Sequence, residues 1–279
     1  MRKLILAGCA LALTSVSYAA TFAGVANGVY NTGVNNSSVV LSGGAVATQY
    51  TIVKLPAGCS GVQCDEDLDV AGIDLFGPAS YVILDGYPVS GPVQPWLSND
   101  STSKWIGPRA DQDPALVPTS SIYASQNDFY VYRMVFNLTA LGLNPATANL
   151  QFRWASDNPS NQGIPPVPPV LNSHVRMCGV SSATDPECGA GSTIAGSNSA
   201  GFSAWTNTIT VNSGFVGGLM ALDFVVYNSI VPDGNFNPSG LRVEIISATA
   251  DIDTGVPEPS TYALIGSALA GLALLRRRS

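Results

Sequence analysis

The sequence predicts an all-β fold, a β-sandwich set between two hydrophobic ends of the chain. Three observations carry that prediction. Several stretches alternate apolar and polar residues at a period of two, the pattern of strands with one covered face. No stretch between the hydrophobic ends sustains a 3.6-residue period. Gly, Ser, Asn, Thr and Pro abound while charged residues make up 11%, a composition suited to long polar loops. Hydrophobic residues make up 46%, enough to build a core and to set the chain apart from disordered ones.

The elements follow in order. The amino end, MRKLILAGCALALTSVSYAA, has Arg2 and Lys3, an apolar run from Leu4 to Leu13, and the small-x-small site Ser17-Tyr18-Ala19. That order is a secretory signal peptide over 1–19, cut after Ala19. Leu6-Ala7-Gly8-Cys9 looks like a lipoprotein acylation box. However, the apolar stretch before Cys9 is short and continues past it, so ordinary cleavage is expected. Residues 20–48 are rich in Gly, Asn and Ser and read as a loose lead-in or one further strand.

The sandwich is expected over 49–252. Tyr130, Tyr132, Met134, Phe136 and Leu138 share one face, with Arg133 and Asn137 on the other. Leu150, Phe152 and Trp154 alternate with Gln151 and Arg153. Leu222, Phe224 and Val226 repeat the pattern, as do Leu241, Val243 and Ile245 against Arg242 and Glu244. Shorter candidates are Val39–Leu41, Gln49–Lys54, Tyr81–Leu84 and Thr208–Val211. Sheets with one covered face pack in pairs, so two sheets are expected.

Four cysteines survive signal removal: Cys59, Cys64, Cys178 and Cys188. An even number in an exported chain reads as disulfides. Three pairings are open; Cys59–Cys64 and Cys178–Cys188 are favoured because each closes a short loop. A zinc site using His174 and Cys178 competes poorly, since its spacing fits no common pattern. Without both terminal signals, seven basic and eighteen acidic residues remain, a net charge of −11. Such a surface repels nucleic acid and anionic lipid.

Catalytic signatures are missing. His174 is the single histidine, no G-x-S-x-G elbow accompanies it, and it reads as a loop or strand-edge residue. Ser101-Thr102-Ser103-Lys104 lacks the companion motifs of S-x-x-K enzymes, and GAGSTIAG lacks the third glycine of a dinucleotide loop. Two features point instead to ligands. Asp65, Asp67 and Asp69, beside Glu66 and Cys64, offer alternate carboxylates of the kind that hold calcium, although the turn glycine of calcium loops is missing. No cofactor is required; structural calcium is the candidate. Trp96, flanked by Pro95 and a Ser/Asn/Asp run, is expected to be exposed, with Arg153, Asp157 and Asn158 nearby as polar partners for a sugar. Trp105 and Trp154 alternate as core residues would. Ile164 to Val170 reads as a stiff polyproline loop.

The carboxyl end, VPEPSTYALIGSALAGLALLRRRS, joins a Pro-flanked acidic motif, an apolar run over 262–275 and Arg276, Arg277 and Arg278. The run spans 14 residues, or roughly 21 Å of helix against about 30 Å of hydrocarbon. It is short for a permanent span, and the arginines keep their end cytoplasmic. Val256, Pro257, Glu258 and Pro259 followed by this run resemble the PEP-CTERM sorting signal of Gram-negative bacteria, over 256–279. That resemblance implies export, transient inner-membrane anchoring by a short transmembrane helix, and cutting by exosortase, a membrane protease. Glu258 is then the recognition residue, held in extended backbone by the two prolines.

Several body segments, among them GYPVSGPVQPWLSNDSTSKWIG, FYVYRMVFNLTALGLNPATANLQFRWASDN, VLNSHV, FSAWTNTITVNSGFVGGLMALDFVVYNS and GLRVEIISA, resemble the galactose-binding-like jelly roll that precedes many such signals. The family's Asn-Gly is replaced by Asn172-Ser173. The resemblance implies a non-catalytic surface or extracellular-matrix protein associated with exopolysaccharide. The alternatives are a secreted glycosidase or lyase, and a coat protein without ligand.

Overall fold

The computed structural model describes residues 18–55, 79–85, 96–108, 110, 128–157, 172–195, 201–228, 239–253, 266–267 and 276. The described body is all-β. Its strands are β1 (Ala19–Thr21), β2 (Val46–Lys54), β3 (Ala79–Val82), β4 (Ile106–Gly107), β5 (Asp128–Phe136), β6 (Asn149–Asp157), β7 (His174–Gly179), β8 (Thr193–Ala195), β9 (Ile209–Val211), β10 (Met220–Asn228) and β11 (Gly240–Asp251). They form one sheet in the order β8-β7-β10-β5-β2-β3-β4-β11-β6-β9, with β1 added beside β11. All of these strand pairs are antiparallel.

Instead of two separate sheets, one nearly closed sheet curls round the core. The short strands β3 and β4 carry the ladder from one half to the other; β4 meets β11 through Leu241 and Ile106. Continuing the ladder leaves fewer unpaired backbone groups than two open edges would. The halves pack face to face: Phe224 of β10 lies 5.8 Å from Phe152 and 5.9 Å from Trp154 of β6, ring to ring. Trp105 and Trp154 are fully buried, as their alternation predicts.

Residues 20–48 are not a loose lead-in. Phe22, Val29, Tyr30 and Val34 enter the main core, and Phe22 stacks on Phe136 at 6.2 Å. Thr32 and Asn31 supply ladder-like hydrogen bonds to β11 at Val243 and Ile245. Val39–Leu41 contributes an isolated bridge, Val34 to Val40, instead of a strand. The strands β1, β4 and β8 are too short to show an alternation, whereas β7 does alternate, with Val175 and Met177 buried, and was missed in the sequence.

The alternation of Tyr130 to Leu138 holds on the inner face, but Arg133 on the outer face is 1% exposed. It meets Asp223 of β10 directly across the ladder, with Nε 2.7 Å from Oδ1 and a second bond to Oδ2 at 2.8 Å. Its remaining donors reach the Asp185 and Pro186 carbonyls at 2.6 and 3.0 Å. The loop after β7 therefore lies over this arginine. The Cys178–Cys188 disulfide closes that loop, and the Cys188 amide donates to Asp223 at 2.7 Å.

Candidate functional site

The outer face of the β6–β11 pair gathers three of the four residues expected to hold a sugar, Trp96, Arg153 and Asp157. The register places Glu244 opposite Arg153, Arg242 opposite Ala155 and Gly240 opposite Asp157. Residues two apart on a strand share a face, so Arg153 and Asp157 stand beside Gly240, Arg242 and Glu244. Two loops, 96–105 and 201–206, lie over this face. Trp96, Trp105, Ile83 and Ala155 form a second small core there, with Leu97, Phe202 and Trp205 packed against it.

Trp96 is not an exposed platform. It is 3% exposed and packs on Trp105 at 4.4 Å between ring centroids. Gly240 makes room for it: a Cβ there would stand 2.6 Å from the indole ring. The indole N–H donates to Asp157 Oδ2 at 3.1 Å. Burial pushes the Asp157 carboxyl up to about 8, against the opposing pull of that hydrogen bond. Trp96 and Asp157 are thus brought together, but inside. Neither is placed to grip a ligand in solvent.

Arg242 is also buried, with a side chain 0% exposed. Its Nε donates to Ser103 Oγ at 3.0 Å, and its terminal nitrogens donate to the carbonyls of Ser98 and Ser103. Its charge partner is Asp100 Oδ2 at 2.6 Å, on a side chain 47% exposed. Burial alone would raise the Asp100 carboxyl. Hydrogen bonds from Thr102 and the Ser103 amide, together with the Arg242 charge, hold it at about 2.

Arg153 remains half-exposed and forms a different group. It contacts Glu244 Oε2 through Nε at 2.6 Å and through a terminal nitrogen at 2.5 Å. Its guanidinium carbon lies 4.8 Å from the centre of the Trp205 ring, and that of Arg242 lies at the same distance. Trp205 is partly exposed. An indole, a guanidinium and a carboxylate on one partly exposed face have the chemistry to stack a sugar ring and hold its hydroxyls. Sequence reading missed Trp205, Glu244 and Arg242 as members of this face. The available signal was opposite charges at outward positions of two strands, Arg153 and Glu244, which pair across a ladder.

Asn158, the calcium candidates Asp65, Asp67 and Asp69, and Cys59 with Cys64 lie outside the described residues. So do Val256, Pro257, Glu258, Pro259, Arg277 and Arg278 of the carboxyl end. Gly266, Ser267 and Arg276 are helical and exposed. Among the described residues no helix is long and apolar enough to cross a membrane, and none of their His, Cys, Asp and Glu side chains cluster as metal ligands. Cys178 sits in a disulfide, which removes it from any zinc site with His174. His174 opens β7, with Nδ1 2.8 Å from the Asn172 carbonyl. Elsewhere, a cleft of about 180 Å³ lies between Asn31, Val34, Ser38 and Ile245, smaller than the roughly 300 Å³ at which ligand pockets begin.

Comparison with known proteins bears on the carboxyl end. A family model described as the PEP-CTERM protein-sorting motif matches residues 255–278. No curated protein and no solved structure matches the chain. The motif implies an exported protein, held transiently at a membrane and processed there by exosortase. The β-rich body therefore precedes a PEP-CTERM sorting motif.

Proposed function

We propose that this chain is a non-catalytic surface or extracellular-matrix protein whose sandwich, a galactose-binding-like jelly roll, associates with exopolysaccharide after exosortase cuts near Pro257 to Pro259. The observation that carries the reading is the sorting motif at 255–278. Two features of the body support the finer part. Successive strands from β5 to β7 and from β8 to β11 pass between the two halves of the sheet, as jelly-roll chains do. The outer face of β6 and β11 carries Trp205 beside the Arg153–Glu244 pair. In this reading Trp205 takes the stacking role first expected of Trp96. Calcium at Asp65, Asp67 and Asp69 belongs to the same reading; a thermal shift with calcium, reversed by chelator, is the expected sign of it.

The test is retention of the purified, processed protein on the exopolysaccharide of its own host, with Trp205→Ala alongside. Retention of the wild type and its loss in the variant are expected. Release of new reducing ends from the polysaccharide would instead assign a glycosidase or lyase. Neither retention nor turnover would leave a ligand-free coat component.

A further inference from the structure

The chain leaves the body at the end of β11, and a loop clips it there. The Asp253 amide donates to the Gly142 carbonyl at 2.7 Å and the Asn144 amide to Asp251 at 2.8 Å, while Leu143 bridges Ile252. A second loop joins the first. The Gly218 amide donates to Thr139 Oγ1 at 3.1 Å, and a Cβ on Gly217 would stand 3.4 Å from the Thr139 methyl. Residues 137–148 and 212–219 thus form one tip around the exit. Neither stretch holds an Asp, Glu, Lys or Arg, in a body of net charge −11. Val216 and Ile252 are 48% and 47% exposed on this tip, and Ala140 is exposed as well. Carboxylates stand at its margin: Asp251 and Asp253 on the exit strand, and Asp185 bonded to Ser181 on the loop after β7.

The length of the tail decides what this tip faces. Residues 254–261 separate Asp253 from Tyr262, where the apolar run begins. Even fully extended, that stretch reaches about 30 Å at most. β11 spans 12 residues, or roughly 36 Å from end to end. The body is therefore longer than its tether and cannot stand on its opposite end, at Gly240, while the tail is anchored. We propose that the tip is a membrane-docking surface: Val216 and Ile252 rest at the lipid headgroup boundary of the anchoring membrane, and the contact ends when exosortase cuts the tail. Uncharged loops enter that boundary without the desolvation cost that ions would bring. The marginal carboxylates and the negative body disfavour anionic lipid, so the matching surface is zwitterionic. Two half-exposed aliphatic side chains bind weakly. A tether this short, however, holds the tip at an effective concentration on the order of millimolar, which keeps a millimolar contact about half formed. Cutting removes that advantage, so one cut releases both the anchor and the tip. The proposal rests on the reading of 262–275 as a membrane anchor and is independent of any sugar binding.

The experiment uses the chain from Ala20 to Ser279, one copy per phosphatidylcholine nanodisc, with a doxyl-labelled lipid as quencher. A fluorophore is attached at Val216→Cys or, for comparison, at Leu84→Cys. Leu84 is 45% exposed and follows Ile83, which lies against Gly240 at the opposite end of β11. Wild type put through the same labelling sets the background. Quenching should be at least ~3-fold stronger at 216 than at 84, as a half-formed contact requires. Lengthening the tether by about twenty Gly/Ser residues after Thr254 should lower quenching at 216 at least ~2-fold, because effective concentration falls with tether length. Val216→Asp, checked for folding by near-UV circular dichroism and read from a fluorophore at Ala140→Cys, should bring quenching down to the Leu84 level. Chains that elute with the discs but show equal quenching at 216 and 84, or none at either, would overturn the docking and leave the anchor standing. A response at 216 that needs several chains per disc would assign the tip to a second copy and overturn it too. Chains that fail to elute with the discs would sink the anchor reading and the proposal together.

Discussion

Arg133 on β5 and Arg242 on β11 stand on outer sheet faces, at positions that alternation assigns to solvent. Both are buried, and both grip the backbone carbonyls of a loop folded over them. They differ in where the carboxylate sits. Asp223 faces Arg133 from the neighbouring strand and has a side chain 0% exposed. The Cys178–Cys188 disulfide anchors the covering loop as well. Asp100 belongs to the covering loop itself and is 47% exposed. If the loop over Arg242 lifts, its counter-ion leaves with it and water takes over, whereas Arg133 has no such exit. The first clamp is a fixture of the fold. The second depends on a carboxylate that water already reaches, and it borders the face that carries Trp205, Arg153 and Glu244.

Four measurements break or sharpen this contrast. Asp223→Ala strands a buried guanidinium, and the expected loss is about 3–5 kcal/mol in denaturant unfolding. A loss no larger than that of the Asp100 variant would end the distinction between the clamps. Next comes Asp157, beneath the second loop. Its folded carboxyl at about 8 lies above the unfolded value of 3.8, so the folded state binds the extra proton between those limits. Stability should therefore fall as pH rises from about 4 to about 8, by at most ~1.4 kcal/mol per pH unit. Asp157→Asn keeps an acceptor for the Trp96 indole and should flatten that slope; an unchanged slope would remove Asp157 as its cause.

Replacing Cys178 and Cys188 together by Ser opens a loop of sequence separation 10 and should cost about 2–3 kcal/mol. The smallest effect belongs to Asp100→Ala, within about 1 kcal/mol because the carboxylate is half in water. Its pH signature has the opposite sign to that of Asp157. Asp100 titrates at about 2 when folded, below its ordinary 3.8. Its contribution is complete above about 4 and disappears as pH falls toward 2, where variant and wild type should converge. A gap that persists at pH 2 would assign the loss to packing instead.

The contrast also shows what sequence can disclose. Inner faces were legible because Tyr130, Tyr132, Met134 and Phe136 or Leu150, Phe152 and Trp154 announce themselves locally. The Cys178–Cys188 bond was legible for the same reason. Burial of Arg133 was not, because its partner Asp223 lies 90 residues away. Burial of Arg242 depends on Ser103, 139 residues away. Trp96 looked exposed from its polar neighbours, yet its fate is decided by Gly240, a residue whose missing side chain leaves no local mark. Trp205 joins the candidate face through arginines on two different strands. Such residues are read from pairing, which period alone does not supply.

Intact-mass analysis of the protein recovered from outside an exosortase-carrying host tests the central claim most directly. The account predicts a chain that begins at Ala20 and lacks the apolar run and arginines beyond the Pro257 to Pro259 motif, with the uncut form accumulating in membranes when exosortase is deleted. An exported chain that still ends at Ser279 in the presence of active exosortase would contradict it.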